Sequence, residues 1–115
     1  MADHLPNKEK CIVQKDKIIS YILNENHDIG KSKARFFQSF GFSTDSYEIL
    51  QTALIEHGQN RPIIKSNDIG YGPKYTVQCS INTPSGEQPC IESVWIIEPG
   101  SDGPRLITAY PSNNK

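Results

Sequence analysis

The sequence predicts an α+β domain: about three N-terminal helices packed on one face of a roughly four-stranded, mainly antiparallel sheet. Before Pro62, apolar residues recur at three- and four-residue spacing, as in Ile18, Ile19, Ile22 and Leu23. After it they alternate with polar ones: Tyr75, Val77, Cys79 and Ile81 against Lys74, Thr76, Gln78 and Ser80. The first spacing is that of an amphipathic helix, the second that of a strand with one face buried. The pairing follows from a third observation. Only Pro99 to Pro104 separates the last two β-rich runs, and so short a connection permits a hairpin but no parallel crossover. Helices first and a meander afterwards leave one sheet face covered and the other available to a ligand.

Residues 1–14 read as a flexible arm, because Pro6, Asn7 and the surrounding charges give no periodicity. The domain is expected over 15–111, with 112–115 as a tail. A first helix starts near Lys15 with Asp16 in its first turn and ends at Asn24-Glu25-Asn26. A second spans Gly30 to Gly41, with Asp28 placed to cap it and Gly41-Phe42 to stop it. A third is capped by Thr44 or Asp45, buries Tyr47, Leu50 and Leu54, and is closed by Gly58 in a left-handed conformation. His57, in its last turn, reads as a cation favoured by the helix C-terminus. Pro62 allows Ile63 to Ser66 to be an edge strand. Thr83-Pro84-Ser85-Gly86 turns the chain into Cys90 to Glu98, apolar on both faces near its centre and so a central strand, with Trp95 in the core. Arg105 to Tyr110 is the last strand, stopped by Pro111.

Composition narrows the function. With 115 residues there is one domain, large enough to bury a core without disulfides or a structural metal. A mean hydropathy of -0.53 and no apolar run near the ~18 residues of a membrane span exclude an integral membrane protein. The polar start, MADHLPNKEK, has no apolar signal core, so a cytoplasmic protein is expected, or a fragment whose export is handled by something else. Cys11, Cys79 and Cys90 form no C-x-x-C pair, which argues against a thiolate metal site and for reduced, partly buried thiols. No metal-ligand pattern and no cofactor motif is present; Gly30-Lys31-Ser32 lacks the glycine and the strand that a phosphate-binding loop needs. A net charge of -1 is not the footprint of a nucleic-acid binder. Even so, Lys8, Lys10, Lys15, Lys17, Lys31, Lys33 and Arg35 crowd the first third.

The second helix carries the anomaly. At about 100° per residue, Phe36, Phe37 and Phe40 fall on one arc, and Lys33 lies in the middle of it. Either its stem packs while the ammonium reaches water, or it serves a site. His27, which moves protons near neutral pH, stands just before the same helix. With cations and hydroxyls on the later strands, these residues are the types that metal-free phosphodiester chemistry uses: a proton carrier, charges for a dianionic phosphorane, and groups to position it. His27, Lys33, Lys74, Arg105, Thr108 and Tyr110 are the candidates. Each has an ordinary alternative: Arg105 a surface charge, Thr108 a β-former, Tyr110 a core ring with a wet hydroxyl.

His27-x-x-Gly30, Lys33-Ala34-Arg35-Phe36-Phe37, Gly41-Phe42, Tyr71-Gly72-x-Lys74-Tyr75, Thr83-Pro84-x-Gly86, Val94-Trp95-Ile96-Ile97 and Pro104 to Pro111 together resemble a bacterial family of unknown function. Its members are small stand-alone proteins and tip domains of polymorphic toxins, and the resemblance spans Lys15 to Pro111. The family usually has proline after the histidine, where this chain has Asp28. Its layout is similar to the superfold of the barnase, EndoU, colicin and RelE ribonucleases. That likeness implies His27 and Lys33 acting with Arg105, Thr108 and Tyr110, and Lys74 and Tyr75 binding substrate. RNA and an antitoxin or immunity protein are the partners implied. A non-catalytic binding module using the free sheet face, itself the neutralising partner, is the competing reading.

Overall fold

The computed structural model describes residues 4–23, 31–68, 70 and 72–112. The first helix, α1, begins at Lys15–Lys17 and widens to π pitch over Ile18–Ile22, where the Leu23 N–H reaches back five residues to the Ile18 carbonyl at 2.8 Å. The wider turn keeps Ile18, Ile22 and Leu23 all buried, as their spacing predicts. Helix α2, Lys31–Ser39, buries Ala34 and Phe37 while Phe36 and Phe40 stay half-buried. It ends as Gly41-Phe42 announces. Gly41, at φ 100°, donates to the Gln38 carbonyl, and Phe42 donates to that of Phe37 while their rings meet at 6.1 Å. These are the paired hydrogen bonds and apolar contact of a Schellman stop.

Helix α3, Tyr47–Asn60, departs from expectation at both ends. Thr44 and Asp45 do not cap it; they form a single 3-10 turn before it, and the cap position is Ser46. Gly58 does not close it either. The helix runs to Asn60, and Gly58 is internal because a Cβ there would lie 2.5 Å from Cζ2 of Trp95. Glycine lets α3 approach the sheet. We expect Gly58→Val to lower stability by about 1–3 kcal/mol through overpacking, read by urea unfolding; an unchanged midpoint would show that the Trp95 ring yields freely.

The strands β1 (Ile63–Asp68), β2 (Pro73–Ser80), β3 (Cys90–Ile96) and β4 (Arg105–Pro111) form one antiparallel sheet in chain order. Val77, Ile91, Trp95, Leu106 and Ala109 face the helices and join Ile18, Ile22, Phe37, Leu50 and Leu54 in one core. Helix α2 packs against β4 and α1, whereas α3 lies over β2 and β3. No strand precedes Ser43 among the described residues.

Residues 4–14, read from composition as an arm, make contacts that composition does not announce. Leu5 and Val13 are buried in the core. Ile12 forms a parallel bridge with Arg105, accepting from Leu106 N–H at 2.9 Å and donating to the Pro104 carbonyl at 2.8 Å. Asn7 donates to the Asp102 carbonyl at 2.7 Å, and Lys10 pairs with the Asp102 carboxylate at 3.7 Å.

Candidate functional site

Side chains directly opposite across antiparallel strands share a face. Asn67, Lys74 and Ile96 follow one another across β1, β2 and β3, and Thr76, Val94 and Thr108 do so across β2, β3 and β4. Both rows lie on the outer face, away from the helices. A bulge between Val94 and Trp95 pairs Trp95 with Leu106 and Val94 with Thr108. Leu106 thereby stays in the core while Ile107 and Thr108 both turn outward, a common use of bulges beside sites. The result is a cavity of about 280 Å³. Its polar lining is Lys65, Asn67, Lys74, Thr76, Thr108 and Tyr110, over an apolar floor of Val94 and Ile107.

Three residues singled out by sequence, Lys74, Thr108 and Tyr110, therefore line one cavity. Tyr75 is separated from them: successive strand residues point to opposite faces, and Tyr75 packs against the core. Arg105, opposite Ile96, is engaged elsewhere, its Nε 2.8 Å from Oε1 of Glu98. That hydrogen bond, with the guanidinium charge, holds the Glu98 carboxyl below its ordinary range. His27 lies outside the described residues. The backbone of Lys33 belongs to α2, but its side chain is also outside them. Helix α2 packs against the core-facing side of β4, so the element carrying Lys33 neighbours that strand, while Thr108 and Tyr110 line the cavity on its outer side.

Sequence reasoning missed Lys65, Asn67 and Thr76. The alternation of Lys74 with Thr76 already put both on the polar face; Lys65 and Asn67 follow the same period on β1, in a run too short to show it. Glu92 was missed too. Its Oε1 accepts from the Tyr110 hydroxyl at 3.2 Å and its Oε2 from the Ser112 hydroxyl at 3.2 Å, while Gln78 Nε2 donates to Ser112 Oγ at 2.8 Å. Burial first, then the Glu92 charge and hydrogen bond, push the Tyr110 hydroxyl above its ordinary pKa. This tyrosine is a neutral hydrogen-bonding group at pH 7, well suited to positioning and poorly suited to giving up a proton.

Among the described residues, His57 and the three cysteines do not line the cavity. His57 is 2% exposed, with Nδ1 2.8 Å from Ser93 Oγ and Nε2 2.9 Å from the Cys79 carbonyl. Burial lowers it to about 4, so it is neutral and structural, which corrects the expected helix-end cation. Burial raises the Cys11 thiol to about 11, with Glu9 adding to it. It raises Cys90 to about 11 as well, with Cys79 adding, so neither supplies a thiolate near neutral pH. Cys79 is exposed rather than partly buried. Among the described residues, no three His, Cys, Asp or Glu side chains gather as a metal site, and no helix is long and apolar enough to cross a membrane.

Comparison with known proteins agrees with the fold. One chain of a solved structure, the contact-dependent growth inhibition toxin–immunity protein complex from Klebsiella pneumoniae 342, superposes with a TM-score of 0.70 at 19% identity. The alignment covers 93% of this chain and 97% of that one. At such identity the likeness speaks for architecture alone. Among curated proteins none matches the sequence. The family pattern, by contrast, covers residues 4–113, and on that extent the chain belongs to the family described as a domain of unknown function, DUF6883.

Proposed function

We propose that this chain is the toxin member of a toxin–immunity pair and acts in the cytoplasm as a metal-independent ribonuclease, with RNA lying along the outer sheet face. The observation that carries the reading is the cavity where Lys65 and Lys74 meet the Thr76, Thr108 and Tyr110 hydroxyls and the Asn67 amide. Two ammonium groups attract a phosphodiester, the Asn67 amide and the Thr76 and Thr108 hydroxyls fix its orientation, and the apolar floor of Val94 and Ile107 suits the face of a base. The 2′-hydroxyl attacks the adjacent phosphorus, forming the O2′–P bond and breaking the P–O5′ bond, and water protonates the departing 5′-oxygen. His27 takes the proton from the nucleophile; α2 packs on the helix-covered side of β4, an edge strand, so the RNA wraps that edge for Lys33 to stabilise the charge that builds on phosphate. Arg105 joins the clamp once phosphate displaces Glu98. The toxin–immunity context of the structural neighbour supports this by analogy, as does the likeness to the barnase, EndoU, colicin and RelE enzymes that the sequence resemblance implies.

Purified protein is expected to cleave RNA in EDTA, leaving a 2′,3′-cyclic phosphate, and to spare the all-deoxy strand. Cleavage abolished by EDTA would remove the mechanism. Absence of cleavage of tRNA, mRNA and rRNA, with no toxicity on expression, would make the chain the neutralising partner instead. The net charge of -1 favours that second reading, since RNA-binding domains are ordinarily basic.

A further inference from the structure

Helix α3 is buried along one side and bare along the other. Glu48, Thr52 and Glu56 recur every four residues and are all exposed, so they form a row along about 12 Å of helix. Beside them Ile49 is 49% exposed, a large apolar side chain left in water. The facing wall is the connection between β2 and β3, whose Asn82, Thr83 and Pro84 enclose with α3 a cavity of about 530 Å³. That wall is held in place. Ser85 N–H donates to the Phe40 carbonyl at 3.1 Å, the Thr83 hydroxyl to the Glu87 carbonyl at 2.6 Å, and Gly86 N–H to the Thr83 carbonyl at 3.1 Å. The trough is thus preformed, and a partner need not spend binding energy ordering it.

Its chemistry points to one kind of occupant. The floor is apolar, Glu48 and Glu56 stand on one side, and no lysine or arginine lines it among the described residues. Nucleic acid is repelled by such a rim, and a small polar ligand finds few donors to orient it. A helix with an apolar stripe flanked by lysines or arginines matches it in length, shape and charge. We propose that this trough docks a basic amphipathic helix presented by a protein partner. The inference does not rest on the ribonuclease reading. The trough belongs to the helix layer and the lysine-lined cavity to the opposite sheet face, so a partner seated here leaves that cavity open.

The test uses two synthetic peptides of about 18 residues, long enough to hold a helix, with the same leucine stripe flanked in one by lysines and in the other by glutamates. Titrated into the full chain, the lysine peptide is expected to move the amide NMR signals of Ile49, Thr52, Ala53 and Asn82, and to bind at least about tenfold more tightly than the glutamate peptide. Added salt should narrow the gap. In the double variant Glu48→Lys, Glu56→Lys, both sites being exposed, the preference should reverse, with a thermal melt confirming the fold. Equal binding of both peptides, an unreversed preference, signals moving around Lys74 and Thr108 instead, or self-association that fills the trough without peptide would each overturn the proposal.

Discussion

Between pH 6.5 and pH 4 the protein is expected to lose about 3 kcal/mol of stability, and most of that loss should disappear in His57→Leu. The Cys79 carbonyl only accepts, so Nε2 of His57 must carry the ring proton. Nδ1 is then bare and accepts from the Ser93 hydroxyl, whose oxygen in turn accepts from Trp95 Nε1 at 2.8 Å. A second ring proton would face an oxygen already taking the indole hydrogen and would leave the Ser93 hydrogen without its acceptor. Burial is the largest cost of the charge and outweighs the Cys79 carbonyl, which favours it, so the group falls from 6.5 to about 4. The sign follows. Below pH 6.5 the unfolded chain binds a proton that the folded chain refuses, so stability is complete above that pH and drains away until the folded group titrates near pH 4. At 2% exposure, solvent screening does not soften the effect. Urea unfolding at pH 7 and at pH 4.5 measures it. His57→Leu should cost about 1–3 kcal/mol at pH 7 by leaving Ser93 and the Cys79 carbonyl unsatisfied, yet show little slope across the window. A wild-type protein equally stable at both pH values, or a variant with the same slope, would remove His57 as the source.

His27→Ala and Lys33→Ala should each lower the rate of RNA cleavage by roughly a hundredfold or more while leaving the thermal midpoint unchanged, as loss of a proton carrier or of a charge stabiliser does. Lys74→Ala should act differently. Lys74 lines the outer cavity beside Asn67 and Thr108; if RNA is cleaved there as proposed, its ammonium would hold phosphate throughout the reaction, and its loss should raise KM more than it lowers kcat. Tyr75→Phe is the internal control, because that side chain packs on the other side of the sheet and should leave both constants within about twofold. Wild-type rates for both His27→Ala and Lys33→Ala would move the chemistry elsewhere on the sheet. An unchanged KM for Lys74→Ala would take the substrate away from the outer face.

Regular elements announced themselves in the sequence because burial imposes a period. Ile18 and Ile22 at helical spacing, Val77 in a polar alternation and the apolar run through Trp95 each fixed an element, a face or a depth in the sheet. Gly41 was legible as a stop because its role is local. Gly58 was not, because its neighbour is Trp95, far along the chain, and a close-approach glycine near a helix end looks like a terminator. His57 misled for the same reason: helix position suggested a cation, whereas Ser93 and the Cys79 carbonyl, on two other elements, decide its proton. At the candidate site Lys74, Thr108 and Tyr110 were found by residue type. Lys65 and Glu92 became visible only once strand register put them beside those three. No pattern in residues 4–14 foretells the burial of Leu5 and Val13, since their partners are tertiary.

The bridge from Ile12 to Arg105 joins the beginning of the chain to its last strand. Closing so long a loop adds little to the equilibrium cost, which grows only logarithmically with length, but it delays folding, since distant segments must meet before any contact rewards them. On a ribosome, α1 to α3 would emerge with Phe37 and Leu54 exposed and no sheet to receive them. Arg105, Thr108 and Tyr110 arrive last. A nascent chain would therefore have neither a finished sheet nor a finished outer cavity until β4 has left the ribosome, which defers any activity on that face to that point.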